Sequence, residues 1–496
     1  MTSDADVIVV GLGVGGDFVA GRLAEAGLEV VGIESTLVGG ECPYWGCVPS
    51  KMSIRAANAL AEARRVGKLA GHATVQPDWP VVARRIREEA TDNWNDTAAV
   101  EQFTGKGGQF VRGHATVTGG RTVVVDGQEF RASPGLVLAT GTRPAVPPVD
   151  GLAGAPYWTN REALEAREAP ASLTVAGGGA IGVELAQAFA RFGSAVTIAE
   201  AADRLLPGEE PEASELVGEV LRREGIGVLT GTRLQRVSHD GRDFTVYLDG
   251  VGPVRSQRLL VATGRRADLK ALGVAAAGID DTPPFIAVDD HLRAADGVWS
   301  VGDVTGAGAF THVAMYQARI AASDILGQAH EPASYRALPR VTFTDPEVGA
   351  VGLTEAQARS RNVVVRTAVS QIPSSSRGWI HGPGNDGFIK LIADSDAGVL
   401  VGATSAGPVG GEVLGALAVA VHAQVPVATL SQMIYAYPTF HRAIEDAIAR
   451  LCLRPAERGP FCSTSRAAIY QTRSSSVVQA IAALINHAHP GRADGW

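Results

Sequence analysis

Apolar runs, glycine-rich turns and an alanine-rich segment alternate at the start of the chain. Residues 5–10 predict a short buried strand, residues 11–16 form a glycine-rich turn, and a helix is expected to about Gly27. A second apolar run, Glu29–Ile33, predicts another strand that ends at Glu34. This order of elements predicts a β-α-β unit with parallel strands.

The turn of this unit carries a G-x-G-x-x-G motif, made by Gly11, Gly13 and Gly16. Glycines at these positions allow backbone N–H groups to approach a pyrophosphate at the N-terminus of the helix. The acid that ends the second strand, Glu34, can accept hydrogen bonds from a ribose. The segment therefore predicts a dinucleotide site.

The same pattern recurs further along the chain. Leu173–Ala176 predicts a strand, followed by a second glycine motif, a helix (Val183–Phe192) and a strand (Ala195–Ala199) that ends at Glu200. The motif glycines are Gly177, Gly179 and Gly182. Two such units imply two dinucleotides that exchange electrons. The Glu200 carboxylate favours the 2′-hydroxyl of NAD(H), although the nearby Arg204 keeps NADP(H) as the alternative.

Two further apolar runs end in Ala-Thr-Gly, and we interpret both as crossings between domains. Thr140 and Gly141 close the first run, and Gly264 closes the second. A later strand from Val298 ends near Asp303, whose carboxylate can bind a ribityl hydroxyl or, alternatively, cap a helix. The remainder, after residue 339, predicts an α+β domain.

Length and charge narrow the class of protein. The chain has 496 residues, 59 of them glycine, and a formal net charge of −8. This length predicts three or four domains. The acidic balance argues against nucleic acid or an anionic membrane as the main partner. Because the sequence shows neither a signal peptide nor a long apolar run, we expect a cytoplasmic protein that does not enter a membrane.

A pair of cysteines follows directly on the first β-α-β unit. Cys42 and Cys47 are too few for a zinc site without further ligands nearby, so we expect a redox disulfide and no metal. A helix predicted from about Ser50 would place its positive end near Cys47 and favour the thiolate.

Together, the two glycine motifs, the cysteine pair, the Ala-Thr-Gly crossings and Asp303 resemble the flavin-dependent pyridine nucleotide–disulfide oxidoreductases, such as dihydrolipoamide dehydrogenase, mercuric reductase and glutathione reductase. The segment Thr342–Gly349 resembles the start of that family's dimerisation domain. The resemblance implies an α/β homodimer with two Rossmann-like domains, for FAD and for NAD, and an α+β dimerisation domain. We expect FAD-binding parts at 1–148 and 265–335, an NAD(P)-binding domain at 149–264, an interface domain at 336–449 and an irregular extension at 450–496.

The resemblance further implies a relay in which NADH, FAD and a Cys42–Cys47 disulfide pass electrons to a small-molecule or protein disulfide, or run in reverse from a dithiol. By motif position, Cys47 would face the flavin and Cys42 would exchange with substrate, with Lys51 near the flavin and Glu184 near the nicotinamide. The residues implied for FAD are Gly11, Gly13, Gly16, Glu34, Lys51, Ala115, Thr140, Gly141 and Asp303. Those implied for NAD(H) are Gly177, Gly179, Gly182, Glu184, Glu200 and Gly264.

The sequence departs from the family at the catalytic base. Tyr437 stands where the disulfide reductases have a histidine, and a phenol is a poor base at neutral pH. We expect His441 and Glu445 to replace the missing dyad, with Tyr437 on the same helix face; an exposed helix turn is the alternative. A flavin-direct quinone reductase or a mercuric-type metal-ion reductase is the alternative function.

Two further features need a structural answer. Glu41, beside Cys42, is a carboxylate that would disfavour a thiolate unless it is solvated. The extension carries Cys452 and Cys462, which are either a second dithiol or incidental thiols.

Overall fold

A computed structural model describes residues 2–453 of the protein. The chain divides into two compact units. The first comprises the described residues up to Tyr335 with Thr342–Asp345, and the second comprises Arg336–Val341 with the described residues from Pro346 onward.

The first unit begins with the predicted β-α-β pattern, followed by further helices and a hairpin. Its opening strands are β1 (Thr2–Val10), β2 (Val30–Glu34), β3 (Gln109–Arg112), β4 (Ala115–Gly119), β5 (Thr122–Val125), β6 (Gln128–Leu138) and β7 (Arg143–Pro144). The helices are α1 (Val14–Glu25), α2 (Glu41–Tyr44), α3 (Cys47–Arg65), α4 (Trp79–Arg85) and α5 (Thr97–Gly105), with a 3₁₀ turn at Val66–Lys68 and a π turn at Ile86–Ala90.

The second β-α-β pattern follows in the same unit. Its strands are β8 (Ser172–Ala176), β9 (Ala195–Ala199), β10 (Gly227–Leu229), β11 (Leu234–His239), β12 (Phe244–Leu248), β13 (Val251–Ser256) and β14 (Arg258–Val261). Its helices are α6 (Asn160–Glu165), α7 (Ala180–Arg191) and α8 (Pro211–Arg223). The unit closes with β15 (Arg265–Arg266), α9 (Leu269–Leu272), β16 (Arg293–Ala295), β17 (Val298–Ser300) and α10 (Thr311–Ile325), and with 3₁₀ turns at Val274–Ala277 and Asp303–Thr305.

Two mainly parallel sheets organise the first unit. One has the strand order β16-β17-β6-β1-β2-β3, with the β4–β5 hairpin attached to β6. The other has the order β10-β9-β8-β14, and β11-β12-β13 form a separate antiparallel sheet. The segments that follow the two Ala-Thr-Gly runs meet, because β7 pairs antiparallel with β15. The predicted α/β class with two Rossmann-like units is confirmed.

Strand β1 shows why the first sheet is buried on both faces. Val7 and Val9 join one apolar cluster, and Ile8 and Val10 join another, since successive side chains point to opposite faces of a strand. A parallel sheet covered by helices on both faces requires such a continuous apolar run. The carboxyl ends of these strands lead into the glycine turn and the residues around it.

The second unit is the predicted α+β domain. Its strands are β18 (Pro339–Thr342), β19 (Glu347–Gly352), β20 (Val365–Gln371), β21 (Phe388–Asp394) and β22 (Val399–Gly407), in the order β18-β19-β22-β21-β20. Its helices are α11 (Glu355–Ser360), α12 (Ser376–His381), α13 (Gly410–His422), α14 (Val427–Leu430) and α15 (Arg442–Leu453). Apolar side chains of α13 and α15 form one core with the sheet. Across the described residues, no helix has the length and apolar character needed to cross a bilayer.

Two predicted boundaries were wrong. The helix expected from about Ser50 starts at Cys47, so the second cysteine is itself the first helical residue. The irregular extension expected from residue 450 does not start there, because α15 continues to Leu453. Cys452 lies in this last turn against the apolar core, whereas Cys462 falls outside the described residues.

Candidate functional site

The first glycine turn is closed on one side and open on the other. A Cβ at Gly16 would overlap the carbonyl oxygen of Gly11, and a Cβ at Gly11 would lie 2.5 Å from the carbonyl oxygen of Ala139. A Cβ at Gly13 would meet no atom within 4 Å, so this glycine borders open space at the start of α1. The buried Glu34 carboxylate accepts the Leu12 N–H at 2.8 Å. This cradle is shaped for a dinucleotide pyrophosphate.

The second turn repeats this geometry. A Cβ at Gly182 would overlap the carbonyl oxygen of Gly177, whereas a Cβ at Gly179 would meet open space. The Glu200 carboxylate accepts the Gly178 N–H at 2.5 Å and the Ala202 N–H at 2.7 Å. The two acids therefore occupy equivalent positions, each fixed by the glycine loop beside it.

Arg204 is held by its own loop. Its guanidinium donates to the carbonyl oxygens of Glu209 at 2.9 Å and Pro207 at 2.7 Å, and to the Ser214 hydroxyl at 2.6 Å. Binding a 2′-phosphate would require these hydrogen bonds to break. The structure thus weakens the argument for NADP(H) that the sequence left open.

The redox segment is a helix interrupted between its two cysteines. Cys42 lies in the short helix α2, Cys47 begins α3, and Gly46 separates them. A Cβ at Gly46 would lie 2.9 Å from the carbonyl oxygen of Glu41, so the sharp turn requires glycine. This break brings together two side chains that would point about 140° apart on a continuous helix.

The two thiols form an asymmetric pair. A hydrogen bond from Cys42 lowers the pKa of Cys47 to about 6, helped by the Thr311 hydroxyl, whose oxygen lies 3.4 Å from the Cys47 sulfur, and by the charge of Lys51. The same hydrogen bond, together with burial, raises the pKa of Cys42. Cys47 is therefore the thiolate of the reduced pair and Cys42 the thiol that donates to it.

This asymmetry predicts a pH-dependent reactivity in the reduced protein. Because the folded pKa of Cys47 is depressed, its thiolate is present at neutral pH and is lost as the pH falls through about 6. We expect the rate of iodoacetamide labelling at Cys47, followed by mass spectrometry, to fall with a midpoint near that pH. A Thr311→Val variant should move the midpoint upward. A midpoint close to that of an ordinary thiol in the wild type would contradict the assignment.

A buried acid is paired with a lysine that lies one helix turn from Cys47. Lys51 on α3 donates to Glu184 on α7 at 2.7 Å, and the other oxygen of Glu184 accepts the Phe343 N–H at 2.7 Å. Glu184 is 5% exposed, so its charge depends on these partners. The structure thus joins Lys51 and Glu184, which the family resemblance implied to lie near the flavin and near the nicotinamide, although they are 133 residues apart in the sequence.

Glu41 does not face the cysteines as a free charge. Its carboxylate accepts from the Arg161 Nε at 2.8 Å and from the Asn160 amide at 3.0 Å, and Arg265 lies 3.8 Å away. Arg161 also lies over the Trp45 ring, 4.3 Å from its centroid. Glu41 and Trp45 therefore hold the redox segment against α6. The expected penalty on the thiolate is offset by the cations around Glu41.

The remaining residues implied for FAD lie in the same unit. Asp303 accepts from the Thr142 hydroxyl at 3.2 Å, and burial raises its pKa despite the nearby Arg265. Gly141 has a left-handed φ of 63° and follows the exposed Thr140. Ala115 begins β4. Gly264, which the resemblance implied for NAD(H), has a φ of 114° in the second crossing.

The predicted base residues belong to the second unit and do not share a helix face. Helix α15 begins at Arg442, so Tyr437 precedes it in a turn, where its hydroxyl lies 3.2 Å from the Ser376 hydroxyl. Glu445 pairs with Arg442 at 2.8 Å, and within residues 2–453 no hydrogen bond joins it to the exposed His441. The three-residue helix face was wrong, and a role for His441 in proton transfer stays a prediction.

A cluster outside these sites brings metal-ligating atoms together. Atoms of His291, Asp324 and His330 lie within 4.8 Å of one another. Both Asp324 oxygens already accept from Arg293, at 2.6 and 2.7 Å, and one also accepts from Trp299 at 2.8 Å. A guanidinium on the carboxylate opposes a cation, so this cluster does not favour a metal.

Some site residues escaped sequence reasoning. Thr311, Arg161 and Arg265 carry no motif of their own, and each reaches its partner from more than a hundred residues away. The only sequence signal among them is indirect, since Arg265 directly follows the second Ala-Thr-Gly run.

Comparisons with known proteins identify the family of this chain. The family model described as pyridine nucleotide-disulphide oxidoreductase matches residues 5–318, and the model of that family's dimerisation domain matches residues 338–448. The chain belongs to this family. Its members are FAD-dependent enzymes that use NAD(P)H, and the match to the dimerisation domain supports a homodimer.

Relatives and solved structures cover almost the whole chain. The dihydrolipoyl dehydrogenase of Chlorobaculum tepidum is 33% identical over 90% of this chain and 97% of the relative. The mercuric reductase of Streptomyces lividans is 33% identical over 89% of this chain and 95% of the relative. The Cu(II) complex of the HOCl-induced flavoprotein disulfide reductase RclA from Escherichia coli has a TM-score of 0.79 at 26% identity, covering 90% of this chain and 99% of that one. LpdA from Mycobacterium tuberculosis has a TM-score of 0.78 at 26% identity, with the same coverage.

These oxidoreductase cofactors fit the residues present. The open face at Gly13, next to Glu34, suits the pyrophosphate and ribose of FAD, and the open face at Gly179, next to Glu200, suits those of NAD(P)H. FAD supplies the transfer of electrons between nicotinamide and thiols. By its family and its relatives, the chain is thus an FAD-dependent NAD(P)H:disulfide oxidoreductase.

Proposed function

We propose that this enzyme reduces a disulfide with NADH through the Cys42–Cys47 pair, in the manner of a dihydrolipoamide dehydrogenase that can also run in reverse. The observation that carries the proposal is the hydrogen-bonded pair of thiols at the start of α3, in which Cys47 is the thiolate. Lys51, on the same helix, forms an ion pair with Glu184 on α7. Neither a structural cysteine nor a metal ligand needs this asymmetry.

The chain's residues divide the work of dithiol–disulfide exchange. The Cys42 sulfur attacks a substrate disulfide and forms a mixed disulfide. One S–S bond of the substrate breaks, and the first substrate thiolate takes the proton that the Cys42 thiol loses. The Cys47 thiolate then attacks the Cys42 sulfur, re-forming the Cys42–Cys47 disulfide and releasing the second thiolate. Overall, NADH, one proton and a disulfide give NAD⁺ and two thiols. Thr311 and Lys51 hold Cys47 ready for the second attack.

NADH is the proposed nucleotide because of the charges around the second glycine turn. Glu200 offers a carboxylate where a 2′-phosphate would lie, and Arg204, the nearest candidate to neutralise that phosphate, is already bound by its own loop. The Glu200 carboxylate would repel the 2′-phosphate of NADPH, whereas it can accept a hydrogen bond from the 2′-hydroxyl of NADH.

The test is a stopped-flow reduction of the purified flavoprotein by NADH and by NADPH. We expect NADH to reduce the protein at least tenfold faster than NADPH does. We also expect the long-wavelength thiolate–flavin absorption band to develop after the first reducing equivalent. A Glu200→Gln variant should lower the ratio of the NADH rate to the NADPH rate. The control is Glu101→Gln, at an exposed acid on α5, which should leave this ratio unchanged. Equal rates with both nucleotides would contradict the NADH assignment, and absence of the band would contradict the thiol relay.

A further inference from the structure

A cavity of about 530 Å³ opens beside Cys42. It is lined by Cys42 and Pro43 of the redox segment and by Thr311 and Met315 of α10, while Val14, Asp17 and Phe18 of α1 form another wall. Its volume suits a small organic molecule rather than a folded protein loop. The thiol proposed to attack the substrate therefore lies in the wall of a small-molecule cavity.

Asp17 places a negative charge in this cavity. Its carboxylate makes no hydrogen bond and no ion pair within residues 2–453, although it is half-buried in the first turn of α1. Burial raises the pKa of Asp17, while the charge of Lys106 lowers it. A carboxylate so placed gains most from a cation brought by a ligand.

The other charges lining the cavity already have partners. Lys106 forms an ion pair with Glu25 at 3.4 Å, which offsets its charge. Arg22 is exposed and donates to the amide oxygen of Gln328 at 3.1 Å. Glu25 and Arg22 lie at least one helix turn beyond Asp17, towards solvent, where charges are screened.

We propose that this cavity selects small disulfides that carry an ammonium group close to the sulfur, with Asp17 as the specificity-determining residue. The proposal rests on the proposed function, since Cys42 is taken as the attacking thiol. The ammonium pairs with the Asp17 carboxylate while the Cys42 sulfur attacks the nearer sulfur of the disulfide. One S–S bond breaks, the mixed disulfide forms, and the leaving thiolate takes the proton that the Cys42 thiol loses.

The first experiment measures Cys42 alone, without turnover. In a pre-reduced Cys47→Ser background, peptide mass spectrometry follows labelling of Cys42 by aminoethyl, hydroxyethyl and sulfonatoethyl methanethiosulfonates, which are cationic, neutral and anionic. Each labelling rate is divided by the rate of the same reagent with a free thiol. We expect this normalised rate to be about tenfold higher for the cationic reagent than for the neutral one. Asp17→Asn should abolish this preference, Asp17→Glu should retain it, and Glu101→Gln, the same charge change on an exposed surface, should not alter it.

The second experiment measures NADH-dependent turnover in the otherwise wild-type holoenzyme. We expect Asp17→Asn to lower kcat/KM about tenfold for cystamine, the aminoethyl disulfide, and less than twofold for bis(hydroxyethyl) disulfide. Equal labelling by all three reagents, with cystamine and the neutral disulfide both turned over, would overturn the Asp17 proposal and leave the proposed function intact. A charge preference in labelling without turnover of any disulfide would instead contradict the proposed function.

Discussion

Replacing Cys42 with serine is expected to lower NADH-dependent disulfide reduction by roughly a thousandfold or more, because the attacking sulfur is lost. Cys42 lines a small-molecule cavity and donates a hydrogen bond to the Cys47 thiolate, so a hydroxyl can keep the geometry but not the nucleophile. The measurement is steady-state turnover with a disulfide and, in parallel, with a quinone acceptor.

The quinone arm separates the two functions that the sequence left open. If the thiols carry the physiological reaction, Cys42→Ser retains flavin and quinone turnover but loses disulfide turnover. The Cys47→Ser variant should show the same loss and should also lack the reactivity that titrates near pH 6. Disulfide reduction that survives in Cys42→Ser would contradict the relay and favour a reaction taken directly from the flavin.

The parts of the fold that could be predicted were those written in local patterns. Both β-α-β units follow from an apolar strand, a glycine turn and an acid within about thirty residues, and all of their strands formed in the predicted places. The paired position of Glu34 and Glu200 also followed, because an acid at the end of the second strand necessarily lies beside the glycine turn.

The contacts that could not be predicted join residues far apart in sequence. Glu41 was an anomaly beside Cys42 until the structure placed Arg161, 120 residues away, on its carboxylate. The Phe343 N–H reaches Glu184 across 159 residues. No periodicity encodes such pairs, since they depend on how separate elements pack.

The boundary errors have local causes. A helix can begin at a cysteine when a glycine provides the break, and Gly46 does this one residue before Cys47. In the second unit, spacing of four residues suggested a shared helix face for Tyr437 and His441, but Pro438 follows the tyrosine directly and the helix starts only at Arg442.

Substitution of alanine in either of the two glycine turns is expected to have a large effect on cofactor binding. Because the turns have the same geometry, Gly16→Ala and Gly182→Ala form a matched pair of variants. A Cβ added at Gly16 would overlap the carbonyl oxygen of Gly11, and a Cβ added at Gly182 would overlap that of Gly177. Backbone cannot rotate away as a side chain can, so each substitution to alanine should distort its own turn at a cost of about 3 kcal/mol. The two turns follow strands of different sheets, so each substitution should distort only its own dinucleotide site.

We therefore expect Gly16→Ala to be purified without its yellow colour, and Gly182→Ala to retain flavin but to be reduced by NADH at least a hundredfold more slowly. Flavin absorbance and a stopped-flow NADH titration measure both effects. Gly105→Ala is the control, because a Cβ there meets no atom within 4 Å at the end of α5. If Gly182→Ala lost flavin while Gly16→Ala kept it, the assignment of FAD to the first turn and NADH to the second would be reversed. Because the two turns have the same geometry, the two alanine variants together show which turn binds FAD and which binds NADH.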